Sequence, residues 1–498
     1  MPRTLYADDV VFMYAARDEA AYADYGTTVV GWGGAHTLER VRRYEALGIH
    51  ATGTMWCLTA GAEALHADSD LREAVCRDIA GQPIRVPWLP DHVYEGTPSW
   101  FGCTNHPTFR AHVRAKVAGA MAGAAHGLHV DDHLGSAHPA FGQGGCFCDF
   151  CMREFREWLQ AHVKPELLSE AGVTSFEDFD YRVLVRRYAT TRETYCEIQD
   201  EIPLHQAFVD CQLQLAAENT RQLGALASEI VARPVTLSAN TCLPHLEHVV
   251  VTPHLTYLVG EVAHYAPEGT GRLIEAVRAY RMAEAIGKPL AATAAGWDWA
   301  YVKEHNSECL VRLWIALGYA CGQRLMAPHR MWCFTPEKGT HWYDGPTEAY
   351  APLYRFVRRH PDLFNACRTV GPLVPPVDIP SSFETVQARR MLESALADGA
   401  PHPLEAETDV WVFPRERTDG AAVIHVINLA YGQEVDAVAP QARVTISVPG
   451  SIYQRSFARA TVYSYDAEPL DIGVDCGADR DLTLMIPVQR LWSVIELR

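Results

Sequence analysis

The sequence predicts an α/β chain, a (β/α)8 TIM barrel followed by a C-terminal β-sandwich, on three observations. Short apolar runs alternate with amphipathic helical stretches through the first three quarters of the chain, the pattern of parallel strands joined by helical crossovers. The runs number eight, which favours a closed barrel over an open sheet. Beyond the Pro-rich stretch GPLVPPVDIPSS the pattern changes to short alternating strands.

The eight runs are Val10–Ala15, His50–Leu58, Ile84–Trp88, Gly127–Asp132, Pro234–Asn240, Leu255–Val262, Pro289–Ala295 and Arg324–Phe334. LERVRRYEALG reads as a helix closed by a Gly cap before the second run, and GRLIEAVRAYRMAEAIGKP as one closed at Gly287 before the seventh. From Cys151 to about Ala232 the chain is longer than one connection needs and reads as several helices set into the fourth βα loop. The barrel is thus assigned to 1–376, with a helical insertion at about 151–232, and the sandwich to 377–498, where WVFPRE, AAVIHVINLA, ARVTISV and LWSVIEL alternate.

A chain of 498 residues suits one large barrel and a smaller module. Its formal charge of −18, without a basic block, argues against nucleic-acid binding, where Lys and Arg must replace counterions, so a neutral small substrate fits better. No apolar run reaches membrane-spanning length, and the start MPRTLYADDVVFMYAARDEA lacks a signal-peptide arrangement. With that start, the 14 cysteines read as reduced thiols and the expected compartment is the cytoplasm. A homo-oligomeric state stays open.

The stretch after the fourth run carries most of the chemistry. In GGCFCDFCMREF, Cys146, Cys148 and Cys151 stand close enough to converge on one ion, and Cys103 of FGCTNHP can supply a fourth thiolate. Four thiolates make a closed structural zinc site, which would pin the loop after strand four to the loop after strand three and perform no chemistry itself.

GLHVDDHLG ends its apolar run on Asp131 and Asp132, and barrel enzymes carry reactive groups at strand C-termini. Side chains alternate along a strand, so the two cannot face the mouth alike; Asp132 is preferred, with Asp131 in support. Such a pair also caps turns. Glu261 closes the sixth run, where a carboxylate must face the mouth. Two carboxylates across one mouth suit glycosidic cleavage, Asp132 as an ionised nucleophile and Glu261 as a proton donor whose pKa is raised by partial burial. Asp298, in AAGWDWAY after strand seven, is the competing acid.

Aromatic residues gather near the same strand ends: Trp32, Trp56, Trp297, Trp299 and Trp332 are candidate sugar-stacking platforms, although any one Trp is more often core filler. His133 and Asn240 are candidate hydrogen-bonding partners of sugar hydroxyls or of the carboxylates.

From Phe101 to Leu159 the chain resembles the family 42 glycoside hydrolases, β-galactosidases whose barrel loops bind zinc through one Cys and a later C-x-C-x-x-C, matched here by Cys103 and CFCDFC. That family carries an Asn-Glu pair where Asp131 and Asp132 stand, and a trimerisation domain where this chain has a helical stretch around LYRFVRRHPDLFNACR. An Asp before x-Leu-Gly after strand four, with a Glu after strand six, is similar instead to the family 66 dextranases, which implies a retaining enzyme acting on α-linked sugars with Asp132 of DHLG as nucleophile. The expected function is therefore a retaining glycoside hydrolase with no organic cofactor. The alternatives are a β-galactosidase-like glycosidase and a metal-dependent hydrolase built on Asp131, Asp132, His133 and Glu261 or His264.

Overall fold

The computed structural model describes residues 2–498 except 57, 178, 244, 336–338, 371–403, 406, 407, 478 and 479. Eight short parallel strands organise the first part: β1 (Val11–Phe12), β2 (Val29–Val30), β3 (His50–Met55), β4 (Gly127–Val130), β5 (Thr236–Ala239), β6 (Leu258–Val262), β7 (Leu290–Ala294) and β8 (Arg324–Leu325). They pair in chain order, β1 to β5 in one run and β6 to β8 in another. Parallel bridges Asn240↔Val259 and Phe12↔Ala327 join the two runs at both ends, so the pairing returns to β1. Every residue of β4, β5 and β7 is buried, which is why these segments read as unbroken apolar or small-residue runs.

Two assignments are corrected. The second strand is Val29–Val30, and Ile84–Trp88 lies outside the circuit, so His50–Met55 is the third strand. Val29 and Val30, with glycines close by on both sides in GTTVVGWGG, are too short a run to give a periodic signal. Ile84 and Val86 are apolar for another reason: they sit in a separate core beneath the cysteine loop, tied to it by the antiparallel bridge Arg85↔Trp100 and by the Ile84 amide donating to Cys76 O at 3.0 Å.

Between β4 and β5 lie helices Asp149–His162, Pro165–Glu170, Tyr181–Val185, Arg192–Ile198 and His205–Ile230. The last, of 26 residues, packs on helix Pro107–Met121 and on β4, and so serves as the crossover to β5. The first opens on Cys148, whose Sγ accepts from the Cys151 amide, and buries Cys151, Met152, Phe155 and Leu159, a helical spacing that turns one face inward.

The C-terminal part is built on two larger antiparallel sheets, beside a small two-stranded one of Tyr431–Gly432 and Ala437–Val438. One larger sheet orders strands Cys367–Thr369, Val410–Arg417, Ala422–Asn428, Trp492–Leu497, Ala460–Ser464 and Ala467–Ile472; the other orders Gln441–Val448, Leu482–Gln489 and Val474–Cys476. Alternate residues such as Val410, Ile424, Val444, Ile446, Leu484 and Ile495 fill one core between these two. The expected boundary at 377 lies outside the described residues, but the sheet already recruits Cys367–Thr369 upstream of it, paired with Arg415–Arg417.

The sheet that holds Cys367–Thr369 is joined to the strand circuit by both apolar and ionic contacts. Trp492 stacks on Tyr319 and meets Phe356 edge-on. Beside it, Glu284 accepts from the Thr369 amide at 3.0 Å and pairs with Arg281 at 2.9 Å and Arg415 at 3.6 Å. Burial pulls the Glu284 carboxyl upward, yet the two guanidinium groups outweigh it and hold the pKa below the ordinary value. Removing one cation from so enclosed a group leaves charge uncompensated, so Arg415→Met is expected to cost about 3 kcal/mol and lower the thermal midpoint by several degrees in calorimetry. An unchanged midpoint would show that the ion cluster contributes nothing to the junction.

Candidate active site

The C-terminal ends of β4, β5 and β6 place three polar side chains together through strand alternation. In β4 the His129 ring faces inward, meeting Ser238 Oγ of β5 at 3.0 Å and the Trp32 ring at 4.4 Å. Asp131 and Asn240 each stand two residues further along, on the same inward rows. The Asn240 amide donates from Nδ2 to Asp131 Oδ1 at 3.2 Å and to Glu261 Oε1 at 3.3 Å, so one donor holds both carboxylates. Gly260 makes the approach possible, since a Cβ there would sit 1.7 Å from Thr241 O.

Alternation alone would turn Asp132 outward. Its φ of +47° breaks the extended run, and its side chain instead lines the pocket. The turn is held from the other side. Gly135 has φ +50°, and a Cβ there would sit 2.3 Å from Thr104 Cγ2, while Thr104 Oγ1 and Ser136 Oγ share a 2.7 Å hydrogen bond. The glycine of DHLG is thus required by conformation and by contact.

Glu261 lines a pocket of about 470 Å³, together with Asp132, Asn240, Trp88, Trp297 and Trp332. Burial pushes the Glu261 carboxyl up to about 7; the Asn240 amide opposes this, and the negative charge of Asp131 adds to it. A carboxyl of that pKa gives up or takes a proton near neutrality.

The four cysteines Cys103, Cys146, Cys148 and Cys151 form the group that could hold a metal among the described residues, with all sulfurs within 4.8 Å of one another. Cys103 Sγ lies 3.4 Å from Cys148 Sγ and 3.5 Å from Cys151 Sγ. A tetrahedral ion with sulfur bonds of about 2.3 Å needs sulfur edges of about 3.8 Å, so the donor set fits such an ion after a small expansion. The Asn105 amide donates to Cys151 Sγ at 3.3 Å and to Gln212 Oε1 at 3.2 Å, and Gln212 Oε1 accepts also from Ser136 Oγ at 3.1 Å. The cysteine group is thereby tied to the loop that carries Asp132.

Of the residues expected at the site, Asp132, Glu261, Asn240, Trp297 and Trp332 line the pocket, and Asp131 joins them through Asn240. Others are elsewhere. Trp32 is buried below the pocket against His129. Trp299 is fully buried, stacked on Tyr343 with its indole N–H on Thr293 Oγ1 at 2.9 Å, because it lies on the inner face of helix Gly296–His305 while Trp297 lies on the outer. Asp298 accepts from the His264 and Ala266 amides at 2.8 Å each, so it fastens the loop after β6 instead of facing substrate. His133 is buried behind the wall against His248, and burial lowers its pKa to about 3. Trp56 lies outside this pocket, on the wall of an adjoining one. Among the described residues the ligand atoms of the set expected of a metal-dependent hydrolase do not converge as those of the cysteine group do: His133 is buried against His248, and His264 turns to Val262 O and Tyr280.

Sequence reasoning missed Trp88, Phe101, His138, Cys242, His248 and Phe334 on the pocket wall. Trp88 and Phe101 lie on the excursion between β3 and β4, whose path across the strand ends no local pattern reveals.

No family model matches the chain. Two alpha-agarases are similar to part of it, one from Alteromonas agarilytica at 24% identity over 230 residues and one from Thalassotalea agarivorans at 25% over 232. The match covers 45% of this chain in each case, and 16% and 15% of the respective relatives' length. Among solved structures, the fold is similar to a Paenibacillus cycloisomaltooligosaccharide glucanotransferase, with TM-score 0.58 at 10% identity over 100% of this chain and 85% of that one. It is similar also to alpha-L-fucosidase isoenzyme 2 from Paenibacillus thiaminolyticus, with TM-score 0.57 at 10% identity over 99% of this chain and 100% of that one.

The contrast between neighbouring tryptophans is open to test. Trp299→Ala is expected to cost about 3–5 kcal/mol in denaturant unfolding, the price of a large core cavity. Trp297→Ala, at a residue 56% exposed, should stay within about 0.5 kcal/mol of the parent. Equal losses would mean that both rings are structural.

Proposed function

We propose that this chain is a retaining glycoside hydrolase acting on an α-linked glycan, with Asp132 as nucleophile and Glu261 as acid/base. The observation that carries the reading is the pairing of Asp132 with Glu261 in one pocket at the strand C-termini, where the Glu261 pKa is raised to about 7. The similarity to two proteins named alpha-agarase supports the α linkage, and the DHLG context of Asp132 supports its role.

In the first step an Asp132 carboxylate oxygen bonds to the anomeric carbon as the glycosidic C–O bond breaks, and Glu261 passes its proton to the departing oxygen. Glu261, now ionised, then takes a proton from water as the water oxygen displaces Asp132 from the anomeric carbon, which restores both carboxyls and the sugar's original configuration. Asn240 holds Glu261 in place through both steps, and Asp131 raises its proton affinity. Trp297 and Trp332 offer ring faces to sugar C–H surfaces.

We assign zinc to Cys103, Cys146, Cys148 and Cys151. With four protein ligands it has no open position, and its contribution is to hold the Thr104–Ser136 contact that shapes the Asp132 turn. The purified protein should carry one zinc per chain by elemental analysis, and Cys148→Ser should lose both the metal and several degrees of thermal midpoint. A metal-free parent of full stability would remove the zinc assignment.

Incubation with matched α- and β-nitrophenyl glycosides and with malto-, isomalto- and agaro-oligosaccharides, with product anomers read by NMR, tests the reaction directly. Retention on an α-glycoside is expected, and Glu261→Gln should lose about 10²–10⁴-fold in kcat/KM, most on poor leaving groups. Cleavage of β-glycosides alone, or full activity of the variant, would sink the assignment.

The acid form of Glu261 is the active one, so kcat/KM should fall as pH rises through about 7. Because Asp131 raises that pKa, Asp131→Asn should move the alkaline limb to lower pH; a limb that stayed in place would separate Asp131 from Glu261.

A further inference from the structure

We infer that the catalytic pocket is one end of a longer cleft, and that its other end, floored by Trp56 and Tyr94, binds the distal units of a neutral oligosaccharide chain. This rests on the glycosidase reading and adds to it the length of the substrate and a second binding region.

A cavity of about 780 Å³ adjoins the pocket. The two share Thr59, and along the excursion between β3 and β4 Trp88 of the first is followed directly by Leu89 of the second. His341 of the second cavity also stacks on Trp332 of the first, with ring centroids 6.3 Å apart and planes 15° from parallel. A shared residue, a pair of consecutive residues and a ring stack thus link one cavity to the other. At about 470 and about 780 Å³, the two together exceed the upper end of about 1,000 Å³ that suits one small ligand.

The second cavity has the surface a sugar chain requires. Trp56 is 42% exposed, yet its ring is held: Tyr14 stacks on it at 5.7 Å and 23°, and Tyr14 is in turn met edge-on by Trp342 at 5.1 Å. Tyr94, on the hairpin Val93–Tyr94/Thr97–Pro98, is also 42% exposed and is braced by the edge contact with His66 at 5.2 Å. A large ring kept open to solvent forgoes its burial energy, while a ring already fixed by its neighbours loses little entropy when a ligand stacks on it. Around these faces stand Glu63, Asp91, His92 and His112, which can exchange hydrogen bonds with hydroxyls. An apolar face within a polar rim matches a sugar ring, with its C–H surfaces and equatorial hydroxyls. The net charge of −18 and the two carboxylates, Glu63 and Asp91, against the single Lys116 on the cavity wall disfavour a polyanionic chain, so the occupant is a neutral glycan.

The test compares Trp56→Ala and Tyr94→Ala with the parent on an α-nitrophenyl glycoside and on α-linked oligosaccharides from disaccharide to heptasaccharide. In the parent, kcat/KM should climb with chain length; in either variant the ratio of long-chain to short-chain kcat/KM should fall at least tenfold. In parallel, calorimetric binding of the same oligosaccharides to Glu261→Gln, with and without Trp56→Ala, should show at least tenfold weaker affinity for the long chains when Trp56 is absent. A parent whose kcat/KM does not depend on length, or variants that keep the parent's ratio and affinity, would overturn the long cleft. Failure to cleave any glycoside together with Trp56-dependent binding of long chains would overturn the hydrolase reading and leave the cleft standing.

Discussion

Asp131, Asn240 and Glu261 meet because the parallel register of β4, β5 and β6 is fixed to the residue. Val130 pairs with Ala239, and Asn240 in turn bridges to Val259, so the inward rows of three strands converge where the strands end. A slip of one residue in β5 would replace the Asn240 amide with Ala239 or Thr241 and leave two carboxylates facing one another without a common donor. The register is enforced lower down by buried partners, His129 on Ser238 and Trp32 on His129, which are invisible from the pocket yet decide what its floor presents.

The same economy explains the cysteine group. It lies away from the carboxylates, but Asn105 and Thr104 follow Cys103 directly in sequence, and through Gln212 and Ser136 they reach the turn that sends Asp132 into the pocket. A turn with two residues at positive φ, Asp132 and Gly135, would not keep that shape unaided. Under the proposed reading, the metal and the long helix His205–Ile230 together supply the rigidity that the loop lacks.

Strand-end carboxylates and clustered cysteines were legible in the sequence because each leaves a local mark: Asp131, Asp132 and Glu261 interrupt apolar runs, and CFCDFC has ligand spacing. The eight-strand count emerged from two errors that offset each other, since the brief Val29–Val30 pair escapes any periodicity while Ile84 and Val86 are apolar for a different core. The tryptophans show the limit most clearly. Trp297 and Trp299 are two residues apart in GWDWAY, but they fall on opposite sides of a helix that begins at Gly296, so one is exposed and the other wholly buried. Asp298 between them looked like an acid, yet long-range contacts with the loop after β6 make it a fastening. Nothing local distinguishes these fates; tertiary packing assigns them.

Whether Asp132 is the residue that bonds to the sugar is decided most directly by trapping. The protein would be incubated with a fluorinated glycosyl fluoride of the sugar it releases, which forms the glycosyl-enzyme readily but hydrolyses slowly, and the labelled peptide would be sequenced by mass spectrometry. The account predicts one adduct per chain, on Asp132. A label on Asp131, or rapid turnover with inverted product and no adduct, would contradict it.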